Sequence, residues 1–402
     1  MRRMPILLLA LVACQRDAAP NLELPQPEPL ELGAPPGAAQ PHLSASADYA
    51  YLSWTEPADS GHALRFAAWD GSAWSAPRTI AAGRHWFVNW ADFPSIEPVG
   101  GSVLIAHWLQ RSGPGTYSYD VMMTQSADDG ASWSEPFRPH DDGTLTEHGF
   151  VSIFPLGAGA GAVWLDGRQF ADAHGHSAGN EMTLRFAAIA GDGALSQEME
   201  LDRRACDCCQ TAAAVTSRGP VVAWRDRSPD EVRDIVVSRL VDGAWTEPRV
   251  LHADNWVIPG CPVNGPQADA AGDNVAIAWF AAPADSPRVQ VAFSADAGET
   301  FGAPVRVDDG NAIGRVDVLL LDDRRALVVW LESAGAGAEV RGRLVSADGR
   351  LGAARVFAAV TAGRASGFPR MARLRDQIVL AWNEAGEAGQ PAHIRAARLT
   401  LR

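Results

Sequence analysis

The stretch Leu104-Ile-Ala-His-Trp108, followed by Ser126-Ala-Asp-Asp-Gly-Ala-Ser-Trp133, decides the fold. It reads as an apolar strand ending in Trp, a second strand-like run, a turn built on Asp and Gly, and an aromatic residue with Pro136 just beyond. Six other short apolar runs end the same way: Ala50-Tyr-Leu-Ser-Trp54, Gly161-Ala-Val-Trp164, Val221-Val-Ala-Trp224, Ala276-Ile-Ala-Trp279, Leu327-Val-Val-Trp330 and Val379-Leu-Ala-Trp382. Successive Trp residues are 54, 56, 60, 55, 51 and 52 positions apart, which is too regular for chance. The turn recurs in full at Ser294-Ala-Asp-Ala-Gly-Glu-Thr-Phe301 and in shorter form at Asp70-Gly71, Asp192-Gly193, Asp242-Gly243 and Asp348-Gly349.

A single sheet of this pattern cannot bury both faces, and radial stacking of such units solves that problem. The expected fold is all-β, a β-propeller of four-stranded blades forming one domain over residues 41–402. The last unit stops at Arg402 one strand short, and Glu28-Pro-Leu-Glu-Leu32 can supply that outer strand. Seven blades closed by an N-terminal strand are therefore expected, with six as the alternative. The Ser-x-Asp-x-Gly-x-x-Trp form resembles the Asp box of the sialidase-like propeller superfamily. That resemblance implies that these Asp residues are structural, each binding the backbone of a hairpin turn.

Composition narrows the chemistry. The chain has 402 residues, 47% apolar, and all 34 of its basic residues are Arg, which excludes Schiff-base and other lysine-dependent mechanisms. A net charge of −14 without any basic run excludes a nucleic-acid partner. A closed ring of this size is expected to be monomeric and to need no cofactor.

At the N-terminus, Arg2 and Arg3 precede the apolar run Ile6–Val12, which is too short to span a bilayer. Leu11-Val-Ala-Cys14 resembles the bacterial lipobox, which implies a signal peptide over 1–13 and lipidation of Cys14. Gln15 after the Cys implies, by the same resemblance, outer-membrane placement, with the membrane touched only through the lipid anchor. Residues 14–40 are Pro-rich and read as a tether holding the possible closing strand.

In such a blade the outer-to-inner crossover and the loop after the Trp strand leave by one face, and the Asp turns leave by the other. The long polar connections are of the first kind, so function is expected there. Arg111, Arg168 and Arg227, with Arg225, follow their Trp residues by one to four positions, so convergence on a carboxylate, sulfate or phosphate is one reading. Local pairing with Asp166 and Asp226 is the other. Trp90 and Asn264 on the same face are further binding candidates, and Asp92, Glu147, His148, Asp166 and Asp226 are the catalytic candidates. For an enzyme, the sialidase resemblance implies glycoside hydrolysis by a Tyr nucleophile. The family's nucleophile lies late in the chain, however, whereas Tyr49, Tyr51, Tyr117 and Tyr119 all fall in the first two units. The early Arg-Ile-Pro motif is also missing, and paired carboxylates such as Asp92 with Glu147 or Asp166 are the alternative.

Cys206, Cys208, Cys209 and Cys261 form an even set, for which two disulfides in one of three pairings are expected. The alternative is a thiolate site for Cu(I) or Zn, with His148 as a further ligand, or a redox dithiol. The Cys-x-Cys-Cys, Arg225-Asp-Arg227 and Cys261-Pro-Val-Asn264 stretches resemble those of exported bacterial proteins labelled as sialidase-like propellers. The leading expectation is an envelope propeller that binds, and as an enzyme hydrolyses, a glycan or other anionic ligand. The second is a non-enzymatic propeller that binds metal or protein through its Cys-bearing loops.

Overall fold

The structure is a computed structural model and describes residues 22–59, 61–170, 181–196, 198–386 and 390–401. The leader and Cys14 lie outside the described residues. Seven antiparallel sheets follow one another along the chain, over 39–83, 95–126, 148–205, 212–250, 267–306, 312–360 and 370–400. They form the seven blades of a propeller. The last sheet gains its fourth strand from Glu28–Leu30, which pairs antiparallel with His393–Thr400 in the register Glu28↔Arg398 and Leu30↔Ala396. The ring is thus closed by the N-terminal strand, as the sequence predicted.

Two blades are irregular. Blade two has three full strands, and a single bridge from Met123 to Phe137 stands in for the fourth. In blade four, Ile235–Val241 pairs with two short pieces, Ala244–Trp245 and Arg249–Val250.

The Trp of each second strand packs between neighbouring sheets, and Trp54, Trp164, Trp279 and Trp330 are fully buried. A buried indole N–H needs an acceptor. Trp54, Trp164 and Trp330 donate to Glu56, Asp166 and Glu332, each two residues on, while Trp224 and Trp279 donate to Asp202 and Asp254 of the preceding crossover or outer strand. The repeat of a Trp near an acid therefore has a physical cause.

The turns on the opposite face are held by their own side chains. Asp296 accepts from the Thr300 amide at 2.8 Å and the Thr300 hydroxyl at 2.6 Å, and the Ser294 hydroxyl accepts from the Gly298 amide at 2.9 Å. Ser126, Asp128, Gly130 and Ser132 repeat the pattern. Hydrogen bonds to the exposed Asp128 carboxylate hold it near 2, and at Asp296 burial acts against the same kind of bonds, which together still hold it near 2.

Inside the ring, the first strands of the blades line an axial channel of about 560 Å³ that carries Glu97, Asp269, Asp317 and Arg370. Burial pushes Asp269 and Asp317 each up to about 6.

Candidate functional site

A second cavity of about 500 Å³ opens on the crossover face. Its walls come from separate connections: Trp90 from the crossover after blade one, Tyr117 and Tyr119 from the loop of blade two, and Glu147 from the next crossover. Phe170, Asp207, Cys208, Cys261 and Arg364 complete it from blades three, four, five and seven.

Tyr119 opens the third strand of blade two and is fully buried, its ring stacked on Phe87 with centroids 3.9 Å apart. Its hydroxyl lies 2.7 Å from Glu147 Oε1 and 2.9 Å from Asp92 Oδ2. Asp92 is fixed from its other oxygen, which accepts the Phe150 amide at 2.8 Å. Gly149 makes this approach possible, because a Cβ there would lie 2.0 Å from Asp92 Oδ2. Burial pushes Asp92 up to about 7 against the pull of the Phe150 amide and the Tyr119 hydroxyl. Burial likewise raises Glu147 to about 8, with Asp92, Asp207 and Cys261 adding repulsion. Tyr119 is raised well above its ordinary value, first by burial and then by both carboxylates. Near neutral pH Glu147 therefore keeps its proton and Asp92 is divided between its protonated and ionised forms, where a free carboxyl would be ionised.

The three residues span a partition. Tyr119 and Glu147 line the outer pocket, whereas Asp92 lines the axial channel.

Of the residues predicted as catalytic, Asp92 and Glu147 meet around Tyr119. His148 and Asp166 lie in a neighbouring buried network instead. There, His148 stacks on His140 at 4.0 Å and faces Asp142 at 3.1 Å. Burial works to lower His148, but Asp142, Asp166 and Asp120 together raise it. Asp226 is pushed up to about 6 by burial and then by Asp202, and it lines neither cavity.

Of the two readings of the Arg residues, local engagement is what the described residues show. Arg168 makes a two-pronged pair with Asp166 at 2.7 Å on each side and reaches Glu198 at 2.6 Å. Arg227 pairs with Glu231 at 2.7 Å. Arg225 donates to the carbonyls of Asn264, Arg233 and Phe280, and Arg111 lies over Phe87. Asn264 is also a framework residue, with its side chain binding the Arg315 amide at 2.7 Å and the Ile313 carbonyl at 3.2 Å. Trp90 does line the pocket, stacked against Phe368 and lying under Arg315 and Arg364.

The sequence reading missed Tyr119 and Arg364. Tyr119 was set aside for its early position, and Arg364 follows no Trp strand. The available signal for Tyr119 was its place after a long loop on the loaded face.

The expected disulfides are not formed among the described residues. Cys206, Cys208, Cys209 and Cys261 are free thiols, and Cys206 Sγ lies 3.1 Å from Cys209 Sγ and 3.9 Å from Cys208 Sγ.

No protein-family model matches the chain, and no curated protein matches it. Among solved structures, the chain resembles the polysaccharide lyase Uly1 at 9% identity and a TM-score of 0.54, covering 90% of each chain. It resembles the endosialidase of phage phi92 at 11% identity and a TM-score of 0.50, covering 95% of this chain and 70% of that one. Likeness at this identity concerns the fold, and in fold the chain is a sialidase-like, seven-bladed β-propeller.

Proposed function

We propose that the protein binds an acidic glycan in the Tyr119 pocket and cleaves its glycosidic bond. The observation that carries this reading is the Tyr119 hydroxyl set between Glu147 and Asp92 at the base of that pocket. Trp90, Tyr117 and Phe170 offer flat apolar faces for sugar rings, and Arg364 offers a guanidinium for a carboxylate. The fold likeness to an endosialidase and a polysaccharide lyase supports a glycan as the ligand.

In the proposed step the Tyr119 oxygen bonds to the anomeric carbon as the glycosidic C–O bond breaks. Glu147, protonated near neutral pH, gives its proton to the leaving oxygen. The Tyr119 proton passes to the ionised form of Asp92 on the channel side. Water then cleaves the tyrosyl–sugar bond, with Glu147 taking a proton from it and Asp92 returning one to Tyr119. Export and acylation at Cys14 belong to the same proposal, since they would set the pocket at the cell envelope.

Oligosaccharide panels with reducing-end detection test the reading. Wild-type protein is expected to bind and cleave acidic sugars. Tyr119→Phe is expected to keep binding and lose turnover by roughly 10³-fold or more, and Arg364→Ala to weaken binding of acidic sugars alone. Folded wild-type protein that binds no glycan on the panel would overturn the proposal.

A further inference from the structure

We propose that Cys206, Cys208, Cys209 and Cys261 form a binding site for one soft cation, Zn(II) or Cu(I), in the wall of the pocket. Three of the sulfurs, those of Cys206, Cys208 and Cys209, are gathered together, and Cys261 joins them through Cys208. Cys206 faces Cys209 at 3.1 Å and Cys208 at 3.9 Å, and Cys261 faces Asp207 Oδ1 at 3.7 Å. Ligand atoms of Cys206, Cys208 and Cys209 all lie within 4.8 Å of one another, as do those of Asp207, Cys208 and Cys261. Four sulfurs at about 2.3 Å from Zn(II) in a tetrahedron stand about 3.8 Å apart, so Cys206, Cys208 and Cys209 need only small side-chain adjustments and Cys261 turns inward to complete the set. Thiolate sets of this kind select Zn(II) and Cu(I) over harder cations.

Charge supports the same reading. Arg225 is 1% exposed, and among the described residues its guanidinium meets carbonyl oxygens and the Trp256 ring but no carboxylate. A buried cation without an anion is costly. The Cys206 amide donates to the Arg225 carbonyl at 2.9 Å, which seats the cluster beside Arg225, and Arg233 donates to Cys206 Sγ at 3.2 Å while pairing with Glu231 at 2.8 Å. The buried Arg233 guanidinium thus binds the most enclosed sulfur of the cluster from outside, the place of an outer-shell donor to a metal-bound sulfur. Cys208 and Cys261 reach the pocket, which gives an ion its route in.

Metal analysis of the full chain, purified without chelator or added thiol, tests the proposal apart from any glycan activity. About one Zn or Cu per chain is expected, with all four thiols alkylated only after the metal is removed. Reduced wild-type protein is expected to bind Zn(II) or Cu(I) at one equivalent, and Co(II) to give a thiolate charge-transfer absorption. Cys206→Ser and Cys208→Ser should abolish stoichiometric binding, and Cys261→Ser should weaken it roughly tenfold or more. Preference for either ion supports the site. Two disulfides in protein isolated without reductant, or four free thiols in folded wild-type protein that take up neither ion, would overturn it.

Discussion

The Tyr119 hydroxyl carries one proton but faces two carboxyl groups, so it can donate to only one of them at a time. The second contact is a hydrogen bond only when that carboxyl carries a proton itself. Retention of a proton by one member of the pair, with Asp92 raised to about 7 and Glu147 to about 8, follows from this geometry as well as from burial. The sign for stability is then fixed. A carboxyl whose folded pKa lies above its unfolded value favours the folded state most fully below about pH 4, and that contribution is lost as pH rises through the folded pKa. The urea midpoint is expected to fall between pH 4 and 8, and Asp92→Asn to remove part of that slope; an unchanged slope would assign it elsewhere, His148 being raised and so acting in the same sense. Gly149→Ala should lower stability by about 1–3 kcal/mol in chemical unfolding and disturb the pocket, because the added methyl would meet Asp92 Oδ2 at 2.0 Å.

At the scale of elements, strand and turn do separate jobs. Asp296→Ala removes the acceptor for the Thr300 amide on the face away from the pocket, so faster hydrogen exchange at that turn with unchanged ligand binding is expected. Trp279→Phe leaves the buried Asp254 with Gln290 but without the indole donor, at a cost of about 1–3 kcal/mol measured by urea unfolding. These elements were legible in sequence because their causes are local: a Trp beside an acid, a Ser two residues before an Asp, a Gly able to take a positive φ. Irregular pairing in blades two and four was not legible, since it depends on where the outer segment meets its neighbour. The pocket was legible only in part. Asp92, Glu147 and Trp90 stood out on the loaded face, but their convergence on Tyr119 depends on crossovers from different blades. Sequence spacing could not distinguish Arg residues that converge from Arg168 and Arg227, which pair within their own loops.

For the whole molecule, closure at the seam governs cooperativity. Leu24, Leu30 and Leu32 pack on the last two blades and the first, so the N-terminal segment contributes apolar contact as well as three register pairs. Deleting residues 22–31 would expose the edge of His393–Thr400, and a free edge invites pairing with another chain. The truncated protein is expected to unfold at a lower temperature and to run as dimers or larger species in size-exclusion chromatography. The seam also sets an order in time. Glu28 pairs with Arg398 across 370 residues, so at synthesis rates of about 5–20 residues per second the first strand waits roughly 20 to 75 s for its partner. During that interval six blades can be translated while the ring is still open, and sealing it becomes the last act in the folding of the ring.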